Sequence, residues 1–341
     1  MSGFKFFRIF KASFYFFTTL LLAPFANRPV ILCFHRIGKS SGSLLDERVG
    51  VTDPDSFRAA INYLKIIGYR FVSLEHLINA VNTSKLERSA VITFDDGYKD
   101  LYQNAFPILK KQNIPFTLFL TTSTVESERL LWLHKLYIAI DKLSPAKCLD
   151  ILKKYEPSGK AGNDLNNMIG RIIDSGSVSV AEKMALVAEL ADTAGLDKKE
   201  ERLLAEKLYL TKSELREMQK HGLNIEVHGH EHLPPVNLNR AETEKEIRDS
   251  VSYIKREFKR QPEFFGLPYG INNQYSSDAA KILQLGGIAS AEQRLVREDE
   301  DPYRLPRICV TIDNMHLYRR LARSCGKVVL GKMQKVLIPF S

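Results

Sequence analysis

Short apolar runs alternate with amphipathic segments along most of the chain. Residues 29–38 (PVILCFHRIG) and 89–97 (SAVITFDDG) contain the continuous apolar stretches that are typical of buried strands. Residues 53–81 have the pattern of a helix, a short strand and a second helix, and residues 102–122 that of a helix, a turn and a strand. This alternation of strands and helices predicts a parallel sheet or a β/α barrel.

The pattern changes in the middle of the sequence. Residues 131–207 are helical in periodicity and strongly charged, which predicts a helical insertion between two strands of the barrel. Thr211 and Glu214 then form a helix-start box, and Gly222 marks the end of that helix. Four more strands are predicted within 223–227, 262–270, 279–291 and 303–310.

Titratable side chains gather where the predicted strands end. His35 closes the first strand, Asp95 and Asp96 close the second, and His228 and His232 follow the strand at 223–227. Reactive groups of β/α barrels lie at the carboxyl ends of the strands. The convergence of several strand ends therefore predicts one active site.

The residue types point to metal chemistry. Two neutral imidazoles and one carboxylate form a common three-ligand zinc site that leaves one position open. A neighbouring carboxylate that does not bind the ion can act as a general base. Asp-Asp-Gly alone is often a simple turn, a lone strand histidine is often a packed one, and clustered histidines can be an exposed loop. Their coincidence at matching strand ends favours the metal site.

Charge is unevenly distributed over the 341 residues, whose net charge is +9. The termini, 1–28 and 314–341, carry ten cations and no acid, so residues 29–313 are left at −1. A nearly neutral body argues against a nucleic-acid binder. Basic tails beside apolar residues favour contact with an anionic membrane surface.

The N-terminal segment strengthens the membrane prediction without defining its form. Residues 12–27 contain no charge, but 16 residues are fewer than the roughly 20 of a spanning helix. A signal peptide, a tilted anchor, an in-plane helix and a terminal helix packed on the body all remain open. The four cysteines are far apart in the sequence and form no CxxC pair, so the sequence predicts neither a disulfide scaffold nor a cysteine zinc site.

Three motifs in order carry a family resemblance. TFDDG (93–97), HGHEH (228–232) and LPYG (267–270) resemble the polysaccharide deacetylase family, carbohydrate esterase family 4, with its NodB-type domain. The resemblance implies an α/β fold, a distorted (β/α)7 barrel, over residues 29–313 with the insertion at about 131–207. It also implies a hydrolase that removes N-acetyl, sometimes O-acetyl, groups from a sugar polymer, with a divalent metal that is usually zinc.

The same resemblance implies roles for single residues. Asp95 corresponds to the catalytic base, and Asp96, His228 and His232 correspond to the metal ligands. The backbone N–H of Tyr269 corresponds to the oxyanion-hole donor. The context of His35 is similar to a permuted branch of the family in which the first strand supplies the general acid.

Two positions depart from the usual family pattern. Gly229 stands where many members have a serine or threonine that supports the site, and Gly266 stands where many have an arginine that steadies the base. Arg307 is the hypothesised replacement for that arginine. Both departures slightly favour the alternative of a non-catalytic, membrane-associated glycan-binding protein. An amidohydrolase-type enzyme is a further alternative, but the aspartates precede the histidine pair here, opposite to that class.

Substrate contacts and location are predicted more broadly. Tyr98, Pro268 and His230 are candidate substrate contacts, although His230 can also face solvent, support a ligand or replace one of the two ligand histidines. Trp132 is interpreted as a sugar-stacking residue or a core residue of the insertion. The expected partner is a polysaccharide or lipid-linked glycan at a membrane, on a side that the sequence leaves undecided.

Overall fold

Eight parallel strands form one curled sheet, and two short strands pair beside it. The computed structural model describes residues 15, 17–22, 28–83, 85–156, 164–310, 317–323 and 325–326. Its strands are β1 (Val30–Phe34), β2 (Arg36–Ile37), β3 (Val51–Thr52), β4 (Arg70–Phe71), β5 (Ser89–Asp96), β6 (Phe116–Leu120), β7 (Leu223–Val227), β8 (Phe264–Gly266), β9 (Gly287–Ala289) and β10 (Ile308–Cys309).

Seven of these strands follow one another in the order β10-β1-β5-β6-β7-β8-β9, with β4 beside β5. The stretch from Leu305 to Val310 joins the two edges of the sheet. The N–H of Leu305 donates to Ile288 of β9, and the N–H of Val310 donates to Cys33 of β1. The predicted α/β fold, a distorted (β/α)7 barrel, is therefore confirmed.

The strand register aligns the carboxyl ends at one rim of the barrel. Phe34 of β1 lies opposite Phe94 of β5, and Leu120 of β6 lies opposite Val227 of β7. Because each strand turns into a loop at this rim, the residues that follow the strands face one another. This explains why side chains from distant parts of the sequence meet.

Helices fill the connections between the strands. They are α1 (Leu44–Val49), α2 (Pro54–Ile66), α3 (Leu74–Asn82), α4 (Phe106–Lys111), α5 (Trp132–Asp141), α6 (Pro145–Leu152), α7 (Leu165–Asp174), α8 (Val180–Thr193), α9 (Lys198–Leu208), α10 (Lys212–Gln219), α11 (Arg240–Phe258) and α12 (Ser276–Ile282). The predicted capping box of Thr211 and Glu214 begins α10, with both reciprocal hydrogen bonds formed.

The predicted helical insertion between β6 and β7 has a hydrophobic core of its own. Helices α5 to α9 bury an apolar cluster that is separate from the barrel core and includes Leu136, Ile172 and Leu190. Leu45 of α1 also belongs to this cluster. The insertion is therefore a compact subdomain that lies over the loops at the carboxyl rim.

Two predicted strands differ from the observed ones. The first strand ends at Phe34 and is followed by β2, which pairs with β3 outside the barrel. Only Ile308–Cys309 of the predicted strand at 303–310 is a strand, since residues 302–304 form a 3-10 turn. Pro302 and Pro306 lack the backbone N–H that a continuous ladder requires.

The described parts of the two termini pack on the barrel. Leu20 and Leu22 contact the main core, to which Leu317 and Leu321 also belong. In the described part of the chain, every helix falls short of the length or apolarity needed to cross a bilayer. Residues 1–14 and 327–341 lie outside the described residues, so the membrane predictions for the tails remain predictions.

Candidate active site and metal centre

Asp96, His228 and His232 meet at the carboxyl rim. Asp96 ends β5, His228 directly follows β7, and His232 lies in the loop beyond it. Asp96 Oδ1 is 3.4 Å from His228 Nε2 and 3.3 Å from His232 Nε2. All three residues are buried, and their ligand atoms lie within 4.8 Å of one another. The structure thus brings together the three residues predicted as ligands.

The donor atoms of this trio fit a divalent cation. His228 Nδ1 lies 2.8 Å from the carbonyl oxygen of Gly266, so that ring nitrogen carries the proton and Nε2 keeps its lone pair. Asp96 Oδ1 is buried and has no hydrogen-bond partner among the described residues. A buried carboxylate oxygen facing two imidazole nitrogens is costly unless a cation lies between them.

The ionisation of Asp96 and His232 also suits a cation. Burial raises the pKa of Asp96, but the close approach of His228 and His232 outweighs it and holds the pKa well below its usual range. Burial lowers the pKa of His232 to about 4, so this imidazole is neutral at neutral pH. An ionised carboxylate beside neutral imidazole is the state that binds metal.

Three site residues have a strained backbone. Asp96, His232 and Tyr269 have φ values of 73°, 53° and 59°, in the left-handed region that residues with a side chain rarely adopt. Each such residue costs about 1–3 kcal/mol unless the surrounding structure holds it. Their concentration at one rim indicates that the fold holds these groups in place at the expense of local stability.

Asp95 faces the same cavity but has a different partner. Arg307 donates to both of its oxygens, at 2.7 Å from Oδ1 and 3.0 Å from Oδ2. Burial opposes ionisation of Asp95, yet Arg307, His228 and His35 outweigh it and lower its pKa. The guanidinium is fully buried, donates to the Ser290 carbonyl and lies over the ring of Phe119.

The position of Phe119 explains why residue 266 is glycine. A Cβ at Gly266 would lie 2.6 Å from the ring of Phe119, so no larger residue fits there. The arginine that many family members have at this position therefore has no room. Instead Arg307, which directly precedes β10, contacts Asp95, as hypothesised from the sequence.

A different contact compensates for the missing side chain at Gly229. Glu246 of α11 accepts hydrogen bonds from the backbone N–H groups of His230 (3.1 Å) and Glu231 (3.0 Å). A Cβ at Gly229 would lie 3.1 Å from Glu246 Oε2, and φ is 83° there. Glu246 thus holds the histidine loop where a serine or threonine hydroxyl is absent. Nothing in the sequence distinguishes Glu246 from the other acids of its charged helix.

His35 and Tyr269 complete the cavity around the two aspartates. His35 Nε2 lies 4.0 Å from Asp95 Oδ2, and the His35 side chain is partly exposed to the cavity. The hydroxyl of Tyr269 donates to the carbonyl oxygen of His232 at 3.3 Å. Trp132 of the insertion donates to the same oxygen at 3.2 Å, so it is a buried support for the loop of His232.

The cavity has a volume of about 400 Å³ and is lined by the barrel rim and the insertion. Tyr98, predicted as a substrate contact, lies in its wall, but only 1% of the residue is exposed and its hydroxyl hydrogen-bonds to His134. His230 and Pro268 are not among the lining residues, and His230 Nδ1 lies 2.8 Å from the Thr122 hydroxyl. The cavity wall from the insertion was not predicted.

Comparison with known proteins places this geometry in a family. A family model described as Polysaccharide deacetylase matches residues 82–288. A Staphylococcus epidermidis protein named poly-β-1,6-N-acetyl-D-glucosamine N-deacetylase is 24% identical over 310 residues, which cover 84% of this chain and 80% of the relative. Proteins of the same name from Staphylococcus aureus strains are 23% identical over 317 residues, covering 86% of this chain and, in strain N315, 83% of the relative.

Solved structures share the fold. The Streptococcus pyogenes deacetylase PplD in complex with acetate superposes with a TM-score of 0.57 at 18% identity, covering 86% of this chain and 98% of its own. IcaB from Ammonifex degensii gives a TM-score of 0.57 at 17% identity, covering 88% of this chain and 97% of its own. At these identities, the likeness supports the barrel fold.

Proposed function

The chain belongs to the polysaccharide deacetylase family, and on this premise we propose that it is a metal-dependent hydrolase that removes N-acetyl groups from poly-β-1,6-N-acetylglucosamine. The substrate follows from the names of the relatives that match most of the chain. One structural observation carries the activity: a base held by arginine lies directly beside a buried carboxylate–histidine trio.

Asp96, His228 and His232 are the proposed metal ligands. A divalent ion bound there, zinc in the usual case for the family, would polarise the acetyl carbonyl and lower the pKa of water. Two observations support this assignment: Asp96 Oδ1 is buried and has no hydrogen-bond partner among the described residues, and the tautomer of His228 is fixed. Two imidazole nitrogens and one carboxylate oxygen suit Zn²⁺ and other divalent transition ions.

Asp95 is the proposed general base. Arg307 holds both carboxylate oxygens, so the side chain cannot rotate away from the cavity, and the lowered pKa keeps it ready to accept a proton from water. Asp95 Oδ2 lies 3.9 Å from His228 Nε2, which places the base beside the ligand trio. Proximity of base and electrophile supplies much of the rate enhancement in such sites.

His35 and Tyr269 are proposed to stabilise the reacting acetyl group and its leaving nitrogen. His35 lies at the end of β1 with Nε2 facing the cavity, from where it can donate a proton to the departing nitrogen. The backbone N–H of Tyr269 is the proposed donor to the oxyanion of the tetrahedral intermediate. The products are acetate and a free amino sugar.

The contacts of Arg307 and Glu246 weaken the alternative of a non-catalytic glycan-binding protein. That alternative depended on the missing arginine at 266 and the missing hydroxyl at 229. In this chain Arg307 contacts Asp95, and Glu246 holds the loop that carries His230. A pure binding module has no need for a base held in this manner.

We also propose that the termini bring the enzyme to an anionic membrane surface, where such a glycan is assembled. Ten cations in the two tails support this, as do Phe17 and Leu21, which lie one helical turn apart and are 60% and 70% exposed. The side of the membrane is left open.

The decisive experiment measures acetate release from β-1,6-linked N-acetylglucosamine oligomers by the full chain. Release that a chelator abolishes and added Zn²⁺ restores is the expected result. Release that resists the chelator would contradict the metal dependence. Release from β-1,4-linked but not β-1,6-linked oligomers would contradict the proposed substrate.

A further inference from the structure

We propose that the cavity contains a second site for a thiophilic divalent ion such as Zn²⁺, formed by Cys33 Sγ, His35 Nε2 and Asp95 Oδ2, and that its occupancy inhibits the enzyme. The inhibition rests on the proposed function, whereas the binding does not. These ligand atoms are distinct from those of the first trio, and they all lie within 4.8 Å of one another.

The fold places the three donors side by side. Cys33 is the penultimate residue of β1, His35 directly follows that strand, and Asp95 lies on the neighbouring strand β5. Cys33 Sγ donates to Asp95 Oδ2 at 3.4 Å, and His35 Nε2 lies 4.0 Å from the same oxygen. Asp95 Oδ2 is therefore the common contact of a thiol and an imidazole.

The chemistry of the donors selects soft or borderline ions. A sulfur, an imidazole nitrogen and a carboxylate oxygen form a three-ligand set that suits Zn²⁺ and leaves a fourth position for water or another ligand. Cys309 of β10 lies opposite Cys33 in the strand register, but it is not one of the three clustered donors. Both cysteines line the cavity, which gives an ion a route from solvent.

Arg307 sets the affinity of this second site below that of the first. Its guanidinium already contacts both oxygens of Asp95, and a divalent ion must approach against that positive charge. With Cys33 deprotonated on binding, the cluster of arginine, aspartate, thiolate and divalent ion keeps a net positive charge, which also weakens binding. The hydrogen bonds of Arg307 go to Asp95 and not to the first trio, so we expect the first trio to fill at lower metal concentration.

Occupancy of the second site would remove both proton-transfer groups at once. The ion would take the oxygen with which Asp95 accepts a proton and the nitrogen with which His35 donates one. Activity is therefore expected to rise as the first site fills and to fall again as Zn²⁺ reaches the second.

The test uses the metal-free full chain titrated with Co²⁺, because thiolate ligation to Co²⁺ produces a near-ultraviolet charge-transfer band. We expect a first equivalent that binds without this band and a second that produces it. Cys33→Ser should lose the band and retain the first equivalent. Cys148→Ser is the matched control, since Cys148 is buried in the insertion, away from the cavity lining, and should leave the band unchanged.

A parallel zinc titration of acetate release links binding to inhibition. In Cys33→Ser, the Zn²⁺ concentration for half-inhibition should rise by roughly tenfold or more. Two results of the Co²⁺ titration would overturn the second site. One is saturation of the unaltered chain at one equivalent without the charge-transfer band, and the other is persistence of that band in Cys33→Ser. Absence of the first equivalent as well would instead contradict the metal centre of the proposed function.

Discussion

Asp95 and Asp96 are neighbours in the sequence but have different surroundings. The side chain of Asp95 meets a buried guanidinium, and Asp96 Oδ1 meets two imidazoles. Alternation along β5 and the left-handed backbone of Asp96 turn the two carboxylates to different partners. The division into base and ligand is therefore a property of their contacts.

Replacing Asp95 with asparagine separates the two roles. We expect Asp95→Asn to keep the metal and to lower turnover by a factor of roughly 10²–10⁴, because the amide cannot accept the proton. Metal content by elemental analysis and acetate release measure the two effects. Asp96→Asn is the matched control and should lose metal together with activity; strong residual turnover in Asp95→Asn would exclude it as the base.

Glu246 provides a prediction about a residue outside the metal trio. Glu246→Ala removes the acceptor of two backbone N–H groups in the histidine loop, and we expect it to weaken metal affinity by about 10–100-fold. Glu246→Gln keeps an acceptor oxygen and should recover most of that loss. Competition with a chromogenic chelator measures the affinity. Equal metal affinities for Glu246→Ala and the unaltered chain would show that the histidine loop keeps its conformation without Glu246.

Among the secondary-structure elements, the helices of the insertion form part of the wall of the cavity. His134 of α5 lies between the hydroxyls of Tyr98 (2.7 Å from Nε2) and Tyr209 (2.6 Å from Nδ1). Tyr98 follows β5, and Tyr209 follows the last helix of the insertion. This buried chain of hydrogen bonds joins the insertion to the barrel next to the proposed metal ligands.

The same chain predicts a pH-dependent stability. Burial lowers the pKa of His134 to about 3, so the folded protein keeps it neutral while the unfolded chain binds a proton near pH 6.5. Its contribution is complete above pH 6.5 and is lost as the pH falls towards 3. Between pH 8 and pH 5.5 the loss is about 1.4 kcal/mol.

Urea unfolding at both pH values measures this contribution. The unaltered chain should lose about 1.4 kcal/mol more than His134→Gln, in which the amide keeps a donor and an acceptor but does not titrate in this range. Comparing the two proteins cancels the contribution to the unfolding free energy of the carboxylates that titrate in both. An equal loss in both proteins would mean that His134 is protonated inside the folded state.

At the scale of the whole molecule, the basic termini and the neutral body suggest a protein oriented at a surface. We expect the full chain to sediment with vesicles that contain anionic lipid, and salt to weaken this binding because exposed charges are screened. Replacement of Phe17 and Leu21 by serine should reduce the bound fraction further. Equal binding to neutral vesicles, or none to anionic ones, would contradict the membrane prediction.

Local sequence patterns predicted the barrel class, the helical insertion and the clustering of polar residues at one rim. These features depend on apolar runs that form buried strands, a capping box, and polar residues at strand ends. The proposed metal trio was also named from the sequence, because the family resemblance rests on the two short motifs that contain it.

The residues that support those motifs become apparent only in the folded chain. Arg307 lies 212 positions from Asp95, and Glu246 approaches Gly229 from another helix. The closing segment, the wall supplied by the insertion and the pairing of Cys33 with Cys309 likewise depend on how distant strands align. Local periodicity specifies which face of an element is buried, but the packing of distant elements decides which side chains meet there.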